Sequence, residues 1–201
     1  MSTDPPHRHL KDGTRIYIRP IRPEDREALA AGFERLGDES RYRRFFTPLE
    51  HLSEQQLDYL THVDHHDHEA LVAVEESTGE GIGVARFVRV ADDVAEPAIV
   101  VADEWQRRGV ASHLLDALAE RAREEGVRQF VAPVLAQNTA AIEAFERLGV
   151  VTLAPQGIES ELTVDLTEPA DADSRLREFL RAIASGAVAP ALGLWELLTR
   201  R

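Results

Sequence analysis

Between positions 103 and 115 the chain reads DEWQRRGVASHLL. Gln106, Arg107, Arg108, Gly109, Val110 and Ala111 make a Q-x-x-G-x-A spacing, entered from the apolar run Ala98 to Ala102 and followed by helix formers with apolar residues at helical intervals. A helix N-terminus carries amide N–H groups without intrahelical partners and a partial positive charge, so it can hold an anion without a dedicated cation. Gly109 removes the side chain where the backbone must turn, Ala111 keeps the approach open, and Gln106, Arg107 and Arg108 place donors around the same point. A strand feeding such a turn into a helix is a cradle for phosphate or pyrophosphate. Upstream on that strand, Glu96 in VAEPAIVV is the lone acid of an apolar run. A carboxylate that has lost part of its water takes up a proton more readily, directly or through a water molecule, which makes Glu96 a candidate base.

Other clusters carry less chemistry. HVDHHDHEA holds four histidines and two aspartates in positions 62–68, yet it falls at a helix-to-strand transition, offers no His-x-x-x-His pair on one helix face and has no cysteine partner, so no metal is expected. TGEGIG alternates glycines between two strand-like runs and reads as a hairpin turn rather than a dinucleotide loop. Ser112 and His113 are adjacent on a helix and point to different faces, which rules out a nucleophile pair. In RYRRFF, Tyr42, Phe45 and Phe46 are expected to anchor a short helix while the arginines stay in water. Trp105 is placed to pack over the turn, and Trp195 to anchor the C-terminal tail.

The elements that must position these residues follow from periodicity. TRIYIRPI alternates as a strand, Pro20 and Pro23 introduce a helix over PEDREALAAGFERLG, and Ser53 with Gln56 has capping-box spacing ahead of QQLDYL. EALVAVEESTGEGIGVARFVRVADDVAEPAIVVAD reads as three consecutive antiparallel strands. Val110, Leu114, Leu115, Leu118 and Ala122 share one helical face, and Gly126 ends that helix. A strand at VRQFVAPVL, a helix capped by Asn138 and stopped by Gly149, and a strand pair at VVTLA and ESELTVDL complete the order. Residues 1–12 read as a disordered leader. Residues 167–201 read as a polar linker and an amphipathic helical extension that could cover the core, make a homodimer contact, or fold over an acceptor groove.

Composition bounds the class. The 201 residues carry 23 Lys and Arg against 36 Asp and Glu, a net charge of -13, and no cysteine. Disulfides, thiolate metal sites and cysteine nucleophiles are excluded. Such acidity opposes a nucleic-acid partner, whose phosphates need Lys and Arg, and suits a cationic one. No apolar run is long enough for a membrane span and no secretory signal is visible, so a cytoplasmic protein with no membrane partner is expected.

Q-x-x-G-x-A after AIVVADEW, with NTAAIEAFERLG about thirty residues later, resembles the acetyl-coenzyme A motifs of the GCN5-related N-acetyltransferases, and the likeness extends from about residue 13 to 166. Within that family, IRPIRPEDREAL, ESRYRRFF, VDHHDHEALVAV and GVARFVRV resemble the catalytic domain of bacterial protein lysine acetyltransferases. The resemblance implies an α/β (α+β) fold with a single mixed, mostly antiparallel sheet, splayed at its centre and flanked by helices. It implies acetyl-coenzyme A as cosubstrate, its pyrophosphate on the amides of Arg108, Gly109, Val110 and Ala111, and its pantetheine arm along Ile99, Val100 and Val101. Pro97 and Pro133 are compatible with the splayed strands and equally with a sheet edge. The resemblance further implies Glu96 as general base for a lysine amine attacking directly in a ternary complex, and a backbone amide near Val100 or Val101 for the oxyanion. Asn138 matches a residue that contacts the cofactor arm. Phe145 stands where many members place a tyrosine that protonates the departing thiolate. A small-amine acceptor, such as a polyamine or aminoglycoside, and a non-catalytic acyl-coenzyme A sensor remain the alternatives. No ligand-sensing domain is expected within these residues.

Overall fold

The computed structural model describes residues 7–45, 50–135, 138–156 and 159–167. In chain order they form β1 (His7–His9), β2 (Arg15–Pro20), α1 (Arg26–Glu34), α2 (Asp38–Phe45), α3 (Glu54–Thr61), β3 (His68–Glu75), β4 (Gly81–Ala91), β5 (Val94–Val101), α4 (Val110–Glu124), β6 (Gln129–Leu135), α5 (Thr139–Phe145), β7 (Val150–Gln156) and β8 (Glu159–Asp165). The strands make one eight-stranded sheet in the order β1-β2-β3-β4-β5-β6-β8-β7. It is mixed, mostly antiparallel and splayed, with flanking helices. The chain divides into two compact units, residues 1–87 with 98–118, and residues 88–97 with 119–201.

In the first unit, β2 turns Ile16 and Ile18 inward and pairs antiparallel with β3, every residue of which is buried. Ser53 caps α3 as its spacing predicts: its hydroxyl accepts from the Gln56 amide at 3.2 Å and the Gln56 side chain accepts from the Ser53 amide at 2.8 Å. The β3–β4 connection is the expected hairpin turn. There the Glu75 carboxylate accepts hydrogen bonds from Thr78 and Ser77, which hold its pKa down at about 2. Gly83 marks a close approach, since a Cβ there would stand 3.1 Å from both the Val100 carbonyl oxygen and Leu114 Cδ1. The face of α4 read from its spacing is buried at Val110, Leu114, Leu115 and Leu118, and each such side chain contributes roughly 1.5–3 kcal/mol by leaving water.

The second unit is built on β6, β8 and β7, which pair antiparallel along their whole length. β5 joins β6 in parallel through Val94↔Gln129 and Ala95↔Phe130, the first two residues of each strand. Ala95, Phe130 and Val164 form a fully buried row across three strands. Arg123 on the last turn of α4 donates to the carbonyls of Leu166 at 2.8 Å and Leu148 at 3.1 Å.

His7–His9, inside the stretch read as a disordered leader, is a strand paired to β2. The physical reason is long-range: the turn after it is bound to Arg108, and His113 Nε2 lies 3.3 Å from the His9 carbonyl oxygen. Local composition holds no trace of those partners. Residues 1–6 and the expected linker and extension with Trp195 lie outside the described residues, as do the side chains of Tyr42, Phe45 and Phe46.

His68 gives the fold a pH dependence. Burial, and then the Arg86 charge whose Nη1 lies 3.1 Å from His68 Nε2, push its pKa down to about 4. Because the folded value lies below the unfolded one, near 6.5, His68 supports the fold above pH 6.5 and that support is lost as pH falls towards 4. Thermal melts should therefore show His68→Gln losing less stability than wild type between pH 6.5 and 4; identical pH slopes would contradict this.

Candidate active site

The segment 102–109 leaves β5, passes through a short 3-10 turn at Asp103–Trp105 and enters α4. Two residues take left-handed backbone, Arg107 at φ 60 and Gly109 at φ 105. Nothing lies within 4 Å of where a Cβ on Gly109 would stand, so the space in front of the helix is open. The Gly109 carbonyl accepts the His113 amide at 3.2 Å, the first bond of the helical ladder. The amides of the first turn have no carbonyl behind them in that ladder. An anion of pyrophosphate size would meet those N–H groups with a favourable helix dipole and no side chain at Gly109 in its way.

The polar side chains around the turn divide by what they touch. Gln106 is exposed but committed to the protein: its Nε2 donates to the Val101 carbonyl at 3.2 Å, to Asp103 Oδ1 at 2.9 Å and to Ser40 Oγ at 3.1 Å. Asp103 in turn accepts from the Gly37 amide at 2.9 Å and the Ser40 hydroxyl at 2.6 Å. Arg108 is also committed. Its Nε donates to Asp12 at 2.7 Å, its Nη2 donates to Thr14 at 3.0 Å, its guanidinium stacks 4.0 Å from the Trp105 ring centroid, and its carbonyl accepts the Lys11 amide. Hydrogen bonds from Thr14, joined by Arg108, hold the Asp12 carboxyl down at about 2. Arg107 is exposed, with no polar partner recorded among the described residues. The side chains of Gln106 and Arg108 thus fasten the turn, and that of Arg107 is exposed beside it. Trp105 packs on Arg108 at the turn, as its position suggested.

On β5, Glu96 is 7% exposed. It lies three residues before Ile99 along a strand whose Ala98, Ile99 and Val100 are half-buried and whose Val101 is buried. A buried carboxylate followed by an apolar, partly accessible strand can accept a proton in a place that excludes most water. Asn138 caps α5 by accepting the Ala141 amide at 3.3 Å, a complete structural use. Phe145 is buried and offers no proton. Pro97 is buried in β5 and Pro133 exposed in β6.

The histidine-rich segment is spent on its own loop. Asp64 accepts the amides of His66, Asp67 and His68 at 2.8–2.9 Å, and His65 Nδ1 lies 2.7 Å from Glu69. Among the described residues no group of three or more His, Asp or Glu could hold a metal ion. No helix among them is long and apolar enough to cross a membrane. Asp12 and Thr14 escaped the sequence reading because their links to Arg108 are contacts across 96 and 94 positions, and the role of Asp103 escaped it because its partner Gly37 lies 66 positions away.

Comparison with known proteins agrees with this geometry. Residues 15–151 match the family described as Acetyltransferase (GNAT) domain. The chain is 36% identical to Acetyltransferase Pat of Mycolicibacterium smegmatis over 161 residues, 79% of this chain, and spans only 46% of that protein's length. It is 32% identical to Acetyltransferase PA5475 of Pseudomonas aeruginosa, over 71% of this chain and 78% of that protein. Among solved structures, the GNAT domain of S. lividans PAT is 37% identical and superposes with a TM-score of 0.74, over 80% of this chain and 96% of that one. With the strand order, the glycine turn and these matches in agreement, the chain belongs to the GNAT superfamily of acetyltransferases, whose typical cosubstrate is acetyl-coenzyme A, and is related to the bacterial Pat-type protein acetyltransferases.

Proposed function

We propose that this chain transfers the acetyl group of acetyl-coenzyme A directly to a primary amine, and that the amine is a lysine side chain of a protein in the cytoplasm. The observation that carries the reading is a single strand, β5, with a buried carboxylate at Glu96 and an open glycine turn at Gly109 beyond its far end. The kinship with Pat-type protein acetyltransferases favours a protein acceptor, and the net charge of -13 favours a cationic one.

In this reading the pyrophosphate sits on the amides of Arg108 to Ala111 with Arg107 beside it, and the pantetheine arm runs along Ile99 to Val101 in the manner of an added strand. A lysine amine is almost wholly protonated at neutral pH, so it must lose a proton before it can attack. Glu96 takes that proton, directly or through a water. The neutral nitrogen adds to the thioester carbonyl, a backbone amide near Val100 or Val101 meets the oxyanion, and collapse expels the coenzyme A thiolate while the proton the adduct nitrogen still carries passes to water. Phe145 cannot protonate that thiolate, which leaves as the anion or takes its proton from another source.

Two measurements test the reading. Glu96→Gln should lower kcat roughly 10²- to 10⁴-fold, the usual worth of a positioned base, with acetyl-coenzyme A affinity unchanged. Unchanged kcat would remove Glu96 from the chemistry, and coenzyme A binding without turnover on any amine would favour a sensor instead. For the donor site, Gly109→Glu forces a side chain onto left-handed backbone and sets a negative charge where the pyrophosphate docks, so calorimetry should register no coenzyme A binding. Arg107→Ala should weaken it about 3- to 10-fold, less at high salt, as expected for one exposed charge-assisted contact.

A further inference from the structure

Glu161 on β8 is 6% exposed, and its Oε1 has no hydrogen-bond partner among the described residues. The contrast with other buried carboxylates is sharp. Glu69 accepts the Ala70 amide at 2.9 Å and lies 2.7 Å from His65, and Glu75 is saturated by Ser77 and Thr78. The cross-strand neighbours of Glu161 are Pro133 and Ala154, whose side chains offer only carbon. Burial pushes its carboxyl up. A buried carboxylate oxygen left without a donor costs stability, and such costs persist where function needs them.

The sheet register says which function. Ala95, Phe130 and Val164 form a fully buried row and define one face of the second unit. Side chains alternate along a strand. Glu96 follows Ala95 by one residue and Glu161 precedes Val164 by three, so both carboxylates project from the opposite face, with β6 between their strands. Glu96 follows the Ala95↔Phe130 pair by one residue and Glu161 pairs with Pro133, so the two are offset by two residues along the strands as well as by two strand spacings, and their Cα atoms stand roughly 12 Å apart. Two N⁺–H···O⁻ contacts of about 2.8 Å span nearly half of that, and the two glutamate side chains leaning towards each other cover the rest.

We infer that Glu161 is the acceptor-binding carboxylate: it receives the ammonium group of the incoming amine and holds it on the face from which Glu96 projects. The inference rests on the transfer reading above and assigns the two glutamates different work. Glu161 selects a cation, and Glu96 takes its proton.

The test uses the full chain loaded with coenzyme A or acetyl-coenzyme A, with Nα-acetyl-lysine amide as probe. Glu161→Gln should raise the probe's KM about 10- to 100-fold while kcat at saturation and the KM of acetyl-coenzyme A move less than about threefold. Its melting temperature should equal or exceed that of wild type, because a buried unpaired charge has gone, and Glu161→Asp should recover part of the affinity. A probe KM within threefold of wild type overturns the inference, as does a lowered melting temperature with equal loss of acetyl-coenzyme A affinity. Calorimetric binding of the probe to the coenzyme A-loaded protein separates the two readings. Loss of binding in Glu161→Gln upholds Glu161 even if no turnover is found, and equal binding in both proteins overturns it even if wild type turns over.

Discussion

The chain must leave β5, reverse, and start α4 within residues 102–109, and it does so with positive φ at Arg107 and Gly109. A non-glycine residue in that region costs about 1–2 kcal/mol, so the turn needs external support. Gln106 ties its beginning to the Val101 carbonyl, Asp103 ties its first bend to Gly37 and Ser40, and Arg108 ties its end to Asp12 and Thr14. Each tie restricts the turn and offsets part of that cost. Together they hold the helix amides in one orientation before any ligand arrives, which is the state in which such donors bind an anion with least reorganisation.

The two adjacent arginines show how one residue type serves two ends. Arg108 is stacked on Trp105 and saturated by acceptors, so its positive charge is already balanced by Asp12. Arg107 is exposed on strained backbone. In a protein with 36 acidic and 23 basic side chains, long-range potential repels an anionic cosubstrate. Backbone amides and a short-range cation are what can overcome that repulsion, because they act within a Debye length of the site.

Most of the architecture was legible in the sequence because it is locally encoded. The buried face of α4, the Ser53 cap, the hairpin turn after Glu75 and the Asn138 cap each follow from residues within one or two turns of each other. The glycine turn was legible for the same reason. What escaped depends on distant partners. Gln106 and Arg108 read from the sequence as ligand donors, since nothing local reveals that Ser40 lies against one and that Asp12 and Thr14 hold the other. The β1 strand was read as a leader because its three residues, HRH, have no apolar pattern and are held by register with β2. Glu161 gave no signal at all: an acid in ESELTVD looks like a solvated position until its burial is known.

The bond from Arg108 to Asp12 closes a chain segment of 96 residues. Closing a loop of that size is entropically slow compared with helix or hairpin formation. Local elements such as α4 can form before it, and this tie on the glycine turn is made only when the turn after β1 and the start of α4 stand side by side. Support for the turn is thus a product of tertiary assembly and not of the local sequence, so a change in the Asp12–Thr14 segment is felt at the entry to α4.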